Sequence, residues 1–288
     1  MKLHYYKSNP ANFGDELNAY IWEALLPEGI FDGTEPTFLG IGTLINEHLD
    51  EKEYWVLGSG VGYGSRPKPS TKLRIFALRG PESALVLGVP SALAVTDAAL
   101  FLRRVWPQFV GLRGKKCRYA YMPHFSQHLA YGDTIRWCCE KIAVTYISPC
   151  DSVDVILERI AKTEVLLAEA MHGAIVADCL GTRWVPIRTY SGVNAFKWTD
   201  WCSSVGLKYK PYSIQKIGSV LKLGNPLRVA ISFMFALQLR LVCLLAIPTL
   251  SSRSLLEERE ARLWTALEEL VAAWRLVEKE KDRNVEKL

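Results

Sequence analysis

His172 is the residue whose position in the sequence is most typical of a chemical role. It follows a predicted apolar strand and begins a predicted helix of small residues, between Met171 and Gly173. Histidine transfers protons near neutral pH, and the free amides of a helix start attract an anion. Glu169 ends the same strand and could accept a proton, so both His172 and Glu169 are predicted to be catalytic. Met171 and Gly173 are predicted to contact the substrate.

A carboxylate near the N-terminus is the second candidate for chemistry. Asp15 lies at the predicted start of a helix, beside Gly14 and one turn before Asn18. A carboxylate at this place either caps the free amides of the helix or faces a cleft and deprotonates a hydroxyl. We predict Asp15 as a third catalytic residue, with Gly14 and Asn18 in the substrate site.

Several cationic or imidazole side chains follow predicted strands. Arg79 ends a buried strand directly before a helix start, a placement that suits a carboxylate or phosphate. Its alternative role is to join two loops. Arg188 and Lys197 follow a later strand, and His124 follows an earlier strand of the same half. All four are predicted to bind the substrate.

A glycine series follows another predicted strand. Gly58 and Gly60 begin the alternation Gly-x-Gly-x-Gly-x-Gly, which differs from the dinucleotide fingerprint and is not followed by a P-loop signature. Alternate glycines let backbone amides approach an anion or a sugar closely, so both are predicted to contact the substrate. A tight loop is the alternative.

The elements that would position these residues alternate between strands and helices. Short apolar runs end in glycine and lead into amphipathic helices, a pattern typical of parallel sheets. We therefore predict an α/β fold with two Rossmann-like halves, residues 1–112 and 113–225. Ligands of such folds bind at the carboxyl ends of the strands, so the two halves are expected to face a cleft.

A helical tail is predicted for residues 226–288. Its apolar segment, 229–249, has 16 apolar residues among the 19 from Val229 to Ile247, with Arg240 in its middle. An arginine there would cost about 2.5–3.5 kcal/mol in a bilayer span. An interfacial or spanning helix and a buried or oligomeric helix both stay open. Residues 253–280 are predicted as a charged amphipathic helix that docks or self-associates.

Composition narrows the class of protein. The 288 residues carry a net charge of +5, too mild to imply nucleic acid but suited to an anionic small molecule. Seven cysteines lack any zinc-ligand spacing, so we predict no metal site, no disulfide framework and a reducing compartment. No secretory signal is visible, and we expect a cytoplasmic protein, with association at the inner face of the plasma membrane left open.

The order of these motifs resembles the polysaccharide pyruvyl transferase family, especially its exopolysaccharide, ExoV-like branch. The motifs cover about residues 1–207 and are Asn12-Phe13-Gly14-Asp15-x-Leu17-Asn18, Arg79-Gly80-Pro81, Thr96-Asp97-Ala98-Ala99-Leu100, Met171-His172-Gly173 and Lys197. The resemblance implies a fold similar to GT-B glycosyltransferases and transfer of a pyruvyl group from phosphoenolpyruvate to a sugar, as a cyclic ketal, with release of phosphate. The acceptor would be an exopolysaccharide or its lipid-linked precursor, with phosphoenolpyruvate as donor substrate and no cofactor.

Residue roles follow from that resemblance and from the chemistry of the donor. The resemblance implies phosphoenolpyruvate near His172 and Arg79, and Asp15 and Asn18 on the acceptor side. We expect His172 to protonate the donor, Arg79 to clamp its anionic groups and Lys197 to contact the phosphate. Asp15 or Glu169 would accept hydroxyl protons.

The chain departs from the family pattern at one position, which keeps other functions open. Many relatives have arginine two positions before the histidine, where this chain has Ala170. Arg79, Arg188 or Lys197 would then replace that arginine. The alternatives are a GT-B glycosyltransferase that uses a nucleotide sugar and a non-catalytic, membrane-associated scaffold of polysaccharide assembly. The oligomeric state stays open.

Overall fold

Two parallel sheets form the centre of this α/β protein. The computed structural model describes residues 1–190, 192–217 and 225–285. The first sheet contains β1 (Lys2–His4), β2 (Thr37–Leu39), β3 (Glu53–Leu57) and β4 (Lys72–Ala77). The second contains β5 (Cys117–Met122), β6 (Thr145–Tyr146), β7 (Thr163–Ala168), β8 (Arg183–Arg188) and β9 (Tyr212–Ser213). The predicted α/β class is therefore confirmed.

The first sheet has the strand order β1-β2-β3-β4, and all its neighbours are parallel. Only one of its connections, between β1 and β2, contains an α-helix, α1 (Phe13–Leu25). The loops before and after β3 are irregular, so the strand–helix alternation predicted for this half is only partly correct. Helix α2 (Pro81–Leu87) begins at a proline and ends at Gly88, whose positive φ of 70° closes the helix as predicted. Helix α3 (Leu102–Val105) follows.

The second sheet has the strand order β6-β5-β7-β8-β9. The helices between its strands are α4 (Phe125–Lys141), α5 (Val153–Ala161), α6 (Met171–Leu180) and α7 (Ala195–Ser204). The chain goes from β5 to β6, which lies at one edge of the sheet, and then crosses to β7 on the other side of β5. The carboxyl ends of β5 and β7 therefore form a topological switch point, where open α/β sheets bind ligands.

The predicted helical tail consists of two helices that differ in their packing. Helix α8 (Asn225–Leu245) buries one face, including Phe235 and Leu239, against the second sheet and α4. Helix α9 (Arg253–Val285) packs on the first half, where Leu263 and Leu270 are fully buried. Among the described residues, no helix is both long and apolar enough to span a membrane. Helix α9 is longer than the predicted 253–280, and the hydroxyl of Ser252 accepts a hydrogen bond from a first-turn amide, that of Leu255.

The division of the chain at 112 and 225 stays a prediction. The strands of the first sheet lie before residue 113, and those of the second sheet lie between 113 and 225. The second limit borders residues 218–224, which lie outside the described residues.

Candidate functional site

A small pocket lies at the switch point of the second sheet. It is lined by residues that follow β5 and β7, together with the first residues of α1 and one residue of α7. The lining residues are Asn12, Phe13, Gly14, Met122, His124, Phe125, Ala170, Met171, His172 and Lys197. The pocket therefore collects five of the predicted site residues, namely Gly14, His124, Met171, His172 and Lys197.

His172 lies in the first turn of α6 and keeps 16% of its side chain exposed. Its imidazole packs directly on Gly14, where any Cβ would collide with Nδ1. On the other side, its Nε2 lies 3.7 Å from Oδ2 of the fully buried Asp97. Both atoms are buried without a hydrogen-bond partner among the described residues. The imidazole is thus held between a glycine and a carboxylate, at the edge of the pocket.

Lys197 is the cation of the pocket. Its Nζ donates a hydrogen bond of 2.7 Å to the hydroxyl of Tyr63, which belongs to the loop after β3. Burial lowers the pKa of Lys197 to about 8, and the positive charge of Arg79 acts in the same direction. Lys197 can therefore carry a charge at neutral pH and lose it in the mildly alkaline range.

His124 is the second imidazole of the pocket. Its Nδ1 accepts a hydrogen bond from the amide of Ser126 at the start of α4, and lies 3.2 Å from the hydroxyl of Tyr190. Burial, reinforced by the charge of Lys197, lowers the pKa of His124 to about 4. His124 is therefore neutral at physiological pH and suits hydrogen bonding better than proton donation.

Glu169 lies behind the pocket rather than in it. Its fully buried carboxylate accepts hydrogen bonds from the amides of His124 (3.1 Å) and Thr189 (2.8 Å) and from the hydroxyls of Thr189 and Tyr121. Burial raises its pKa, and these hydrogen bonds act in the opposite direction. This corrects the prediction of a catalytic base, because Glu169 ties together the segments that follow β5, β7 and β8.

Asp15 lies close to the pocket, in the first turn of α1. Its carboxylate accepts a hydrogen bond of 2.7 Å from the side chain of Asn12. Burial raises the pKa of Asp15, while Asn12 and the positive charges of His172 and Lys197 act to lower it. These interactions place the carboxylate of Asp15 in the electrostatic environment of both pocket residues.

Two helix N-termini meet at the pocket without side-chain caps. Asn12, before α1, and Ala170, before α6, make no capping hydrogen bond through their side chains. In contrast, Asn194 caps α7 by accepting from the amides of Phe196 and Lys197. Because the amides of Phe13 and Asp15 in α1 donate to backbone carbonyls, an anion at this place is favoured mainly by the first-turn amides of α6 and by the two helix dipoles.

Two predicted site residues are used by the scaffold instead. Arg79 is fully buried, and its guanidinium forms an ion pair of 3.0 Å with Asp200 and donates to the carbonyls of Gly42 and Val61. Asn18 is also fully buried, and its amide bonds both the N–H and the carbonyl of Ile41. Neither lines the pocket, which corrects the predicted anion clamp at Arg79 and the predicted acceptor contact at Asn18.

The remaining predicted residues also have structural surroundings. A Cβ on Gly58 would collide with Ala98, and one on Gly60 would lie 2.6 Å from the guanidinium of Arg79. These glycines allow close packing, which favours the tight-loop alternative over contact with a substrate. Gly173 packs in the same way on Met122, and the exposed Arg188 donates to Ser213, away from the pocket lining.

Two carboxylates that could not be assigned from the sequence lie beside predicted site residues in the tertiary structure. Asp97, which pairs with His172, lies in a motif that carried the family resemblance but was given no role. Asp200, the partner of Arg79, had no sequence signal because 121 residues separate the two. Within the described ranges, no group of three His, Cys, Asp or Glu residues could hold a metal ion.

Comparison with known proteins identifies the family. No family model matches the chain, and no solved structure matches it. The succinoglycan biosynthesis protein ExoV of Rhizobium meliloti (strain 1021) is 35% identical over 217 residues, which are 73% of this chain and 67% of the relative. Sequence identity at this level, over at least two thirds of both chains, is enough to place the two proteins in one family. The chain therefore belongs to the ExoV-like family that its motifs resemble.

Proposed function

We propose that this protein transfers a pyruvyl group from phosphoenolpyruvate to two hydroxyls of a sugar, forming a cyclic ketal and releasing phosphate. One observation carries the proposal. The pocket at the switch point combines a proton-transferring imidazole, His172, with Lys197 and two uncapped helix N-termini. A donor with a carboxylate, a phosphate and a carbon to be protonated needs these groups together.

The family membership supports the class of acceptor. The relative is named for succinoglycan biosynthesis, so we propose an exopolysaccharide or its lipid-linked precursor as the acceptor of this chain. The two parallel sheets, with the pocket at the carboxyl ends of their strands, support the GT-B-like architecture that the resemblance implies.

Lys197 is the proposed phosphate ligand in place of the arginine that is missing at position 170. Among the three candidates, only Lys197 lines the pocket, since Arg79 is bound to Asp200 and Arg188 to Ser213. The amides at the starts of α1 and α6 would bind the remaining anionic oxygens. We propose that the neutral His124 hydrogen-bonds one of the substrates beside Lys197.

The chemical step needs one proton donor and one proton acceptor. His172 donates a proton to the methylene carbon, which becomes a methyl group, and the first sugar hydroxyl adds to the neighbouring carbon. The second hydroxyl then displaces phosphate from that carbon. Two protons leave the hydroxyls, one to restore His172 and one to the phosphate. Asp15 is proposed to accept a hydroxyl proton first and to pass it on to one of these two groups, because burial keeps its carboxylate more basic than an exposed one.

The test is acceptor-dependent release of phosphate from phosphoenolpyruvate. Purified protein would be assayed with a membrane extract that contains lipid-linked oligosaccharide. Removing the proton donor with His172→Ala should lower the rate at least about 100-fold. His48→Ala is the matched control, because His48 is exposed and lies outside the pocket, and it should keep the rate of the unmodified protein.

Two results would contradict the proposal. A near-normal rate for His172→Ala would remove the assigned proton donor. Absence of phosphate release, together with no thermal shift on adding phosphoenolpyruvate, would remove the donor itself. A thermal shift with a nucleotide sugar would then favour the glycosyltransferase alternative.

A further inference from the structure

Helix α8 exposes a continuous apolar face, which we call the α8 outer face. Its six large side chains are between 45% and 73% exposed and recur at the spacing of one helix side. They are Phe233, Met234, Leu237, Leu241, Leu244 and Leu245. Soluble monomers rarely expose a contiguous apolar surface of this kind unless it binds something.

The opposite side of α8 fixes which face points outward. Phe235, Leu239 and Val242 are buried in the core cluster of the second sheet. The helix therefore cannot rotate to bury its outer face without exposing this contact. Among the described residues, one aromatic ring outside α8 contacts the outer face. It is that of Trp137 in α4, whose centroid lies 5.3 Å from the centroid of the Phe233 ring in an edge-on arrangement.

The segment of the sequence that contains α8 carries basic residues and no acidic ones. Residues 201–256 contain no aspartate or glutamate but seven basic residues, more than the net +5 of the whole chain. They are Lys208, Lys210, Lys216, Lys222, Arg228, Arg240 and Arg253. Arg240 is exposed within the outer face itself, and Lys141 lies over the ring of Trp137 at its rim. The surface is therefore apolar and cationic at once.

We propose that the α8 outer face docks on a membrane surface of anionic phospholipid. A helix with a lipophilic face and basic residues lies in the plane of the interface, where its apolar side chains enter the acyl boundary and its cations meet the headgroups. The tryptophan at the rim suits the same interface. Such docking requires no helix that spans the bilayer.

A second copy of the chain fits this face less well than a lipid surface. A twofold contact through this face would bring the Arg240 side chains of both copies into one apolar interface. No carboxylate within residues 201–256 could compensate that charge. Anionic headgroups supply the missing negative charge, so charge complementarity selects the lipid.

The experiment is vesicle flotation with the full chain, and it is independent of the proposed catalytic function. Vesicles of phosphatidylcholine alone would be compared with vesicles that also contain phosphatidylglycerol. The test variant is Leu237→Glu with Leu241→Glu, and the control variant is Leu85→Glu with Leu276→Glu. All four leucines are exposed, so neither variant disturbs the core. Circular dichroism and thermal melting would establish that both fold.

We expect binding to the phosphatidylglycerol vesicles that weakens as salt is added, and little binding to phosphatidylcholine alone. The Leu237→Glu, Leu241→Glu variant should bind at least about tenfold more weakly, because two inserted leucines are lost. The control variant should bind like the unmodified chain.

Two outcomes would overturn the proposal. One is vesicle binding that is absent, indifferent to lipid charge or unchanged in the Leu237→Glu, Leu241→Glu variant. The other is a dimer in light scattering that this variant, but not the control, converts to a monomer. That second result would assign the α8 outer face to a second copy of the chain.

Discussion

At the scale of single residues, the contact between His172 and Asp97 is the feature that distinguishes the pocket. An imidazole and a carboxylate, 3.7 Å apart and both buried at the facing atoms, each lack a hydrogen-bond partner for that atom within the described residues. Leaving buried polar atoms unpaired is costly, so such an arrangement is typical of a functional site. The carboxylate of Asp97 thus faces the imidazole that the proposed mechanism uses as its proton donor.

Asp97→Asn tests the role of this carboxylate with little change of shape. The carboxylate Oδ1 accepts from the amide of Ala99, and an asparagine oxygen can retain that bond. Because the imidazole of His172 loses the carboxylate beside it, we expect a slower reaction. The measurement is the rate of phosphate release.

Asp178→Asn is the matched control for this experiment. Asp178 is another buried carboxylate with one oxygen that has no partner in the described part of the chain, and it bonds Trp184 and Ser251 away from the pocket lining. Its variant should keep the rate of the unmodified protein. A rate that Asp97→Asn leaves unchanged would show that Asp97 does not act on His172.

The lowered pKa of Lys197 predicts how donor affinity depends on pH. Below a pKa of about 8 its ammonium group attracts the phosphate, and above it the neutral amine does not. The dissociation constant of phosphoenolpyruvate should therefore rise above pH 8, by up to about tenfold for each pH unit. Calorimetric titration without acceptor measures it.

Lys197→Arg separates charge from other effects of pH. Arginine stays charged throughout this pH range. The dissociation constant of phosphoenolpyruvate should therefore stay nearly constant for the Lys197→Arg variant, while it rises for the unmodified protein. Equal pH dependence of the two proteins would show that another group controls donor binding.

At the scale of elements, α9 is a structural part of the first half rather than a separable tail. Leu263 and Leu270 are fully buried in the large core cluster, and Trp264 meets Phe101 edge-on at 6.3 Å. Glu260 forms ion pairs of 3.0 and 2.8 Å with the adjacent Arg103 and Arg104. The apolar stripe predicted for this helix is therefore used inside the chain.

Leu263→Ala should measure this contribution. Removing a fully buried leucine leaves a cavity, so we expect the free energy of unfolding in urea to fall by about 2–5 kcal/mol. Leu276→Ala, at an exposed position of the same helix, should change it by less than about 0.5 kcal/mol. Similar small changes for both variants would mean that α9 does not stabilise the first half.

At the scale of the whole molecule, the two halves are joined by a buried charge pair. Arg79 follows β4 of the first sheet and Asp200 lies on α7 of the second half, and both are fully buried. Asp200 also accepts from the amide and hydroxyl of Ser83. Lys197 lies one helical turn from Asp200 on α7. By binding Asp200, Arg79 therefore helps to hold α7 in the position that places Lys197 at the pocket.

Asp200→Asn should destabilise the protein strongly. The asparagine can still accept from Ser83, but the guanidinium is left buried without a counter-charge. We expect the free energy of unfolding in urea to fall by about 3–5 kcal/mol. Glu257→Gln, which removes an exposed pair with Arg253, is the control and should cost no more than about 0.5 kcal/mol. Equal costs would contradict the structural role of Arg79.

Several local features could be predicted from the sequence because their signals are local. The helix of small residues predicted to begin at His172 follows an apolar strand as expected and begins one residue earlier, at Met171, since apolar period and turn residues act over a few positions. The meeting of His124 and His172 was also predictable, because residues after parallel strands share one edge. The family motifs, being contiguous, pointed to the ExoV-like family.

Only the tertiary structure decided which charged side chains face the pocket. Arg79 and Lys197 were both predicted to bind anionic groups of the donor. Asp200, 121 residues away, neutralises Arg79, while the side chain of Lys197 has only Tyr63 as a hydrogen-bond partner among the described residues. The proximity of Asp97 to His172 likewise depends on the tertiary structure, because the two residues are far apart in the sequence. A local pattern predicts where an element begins, whereas burial and pairing depend on the distant segments that folding brings beside it.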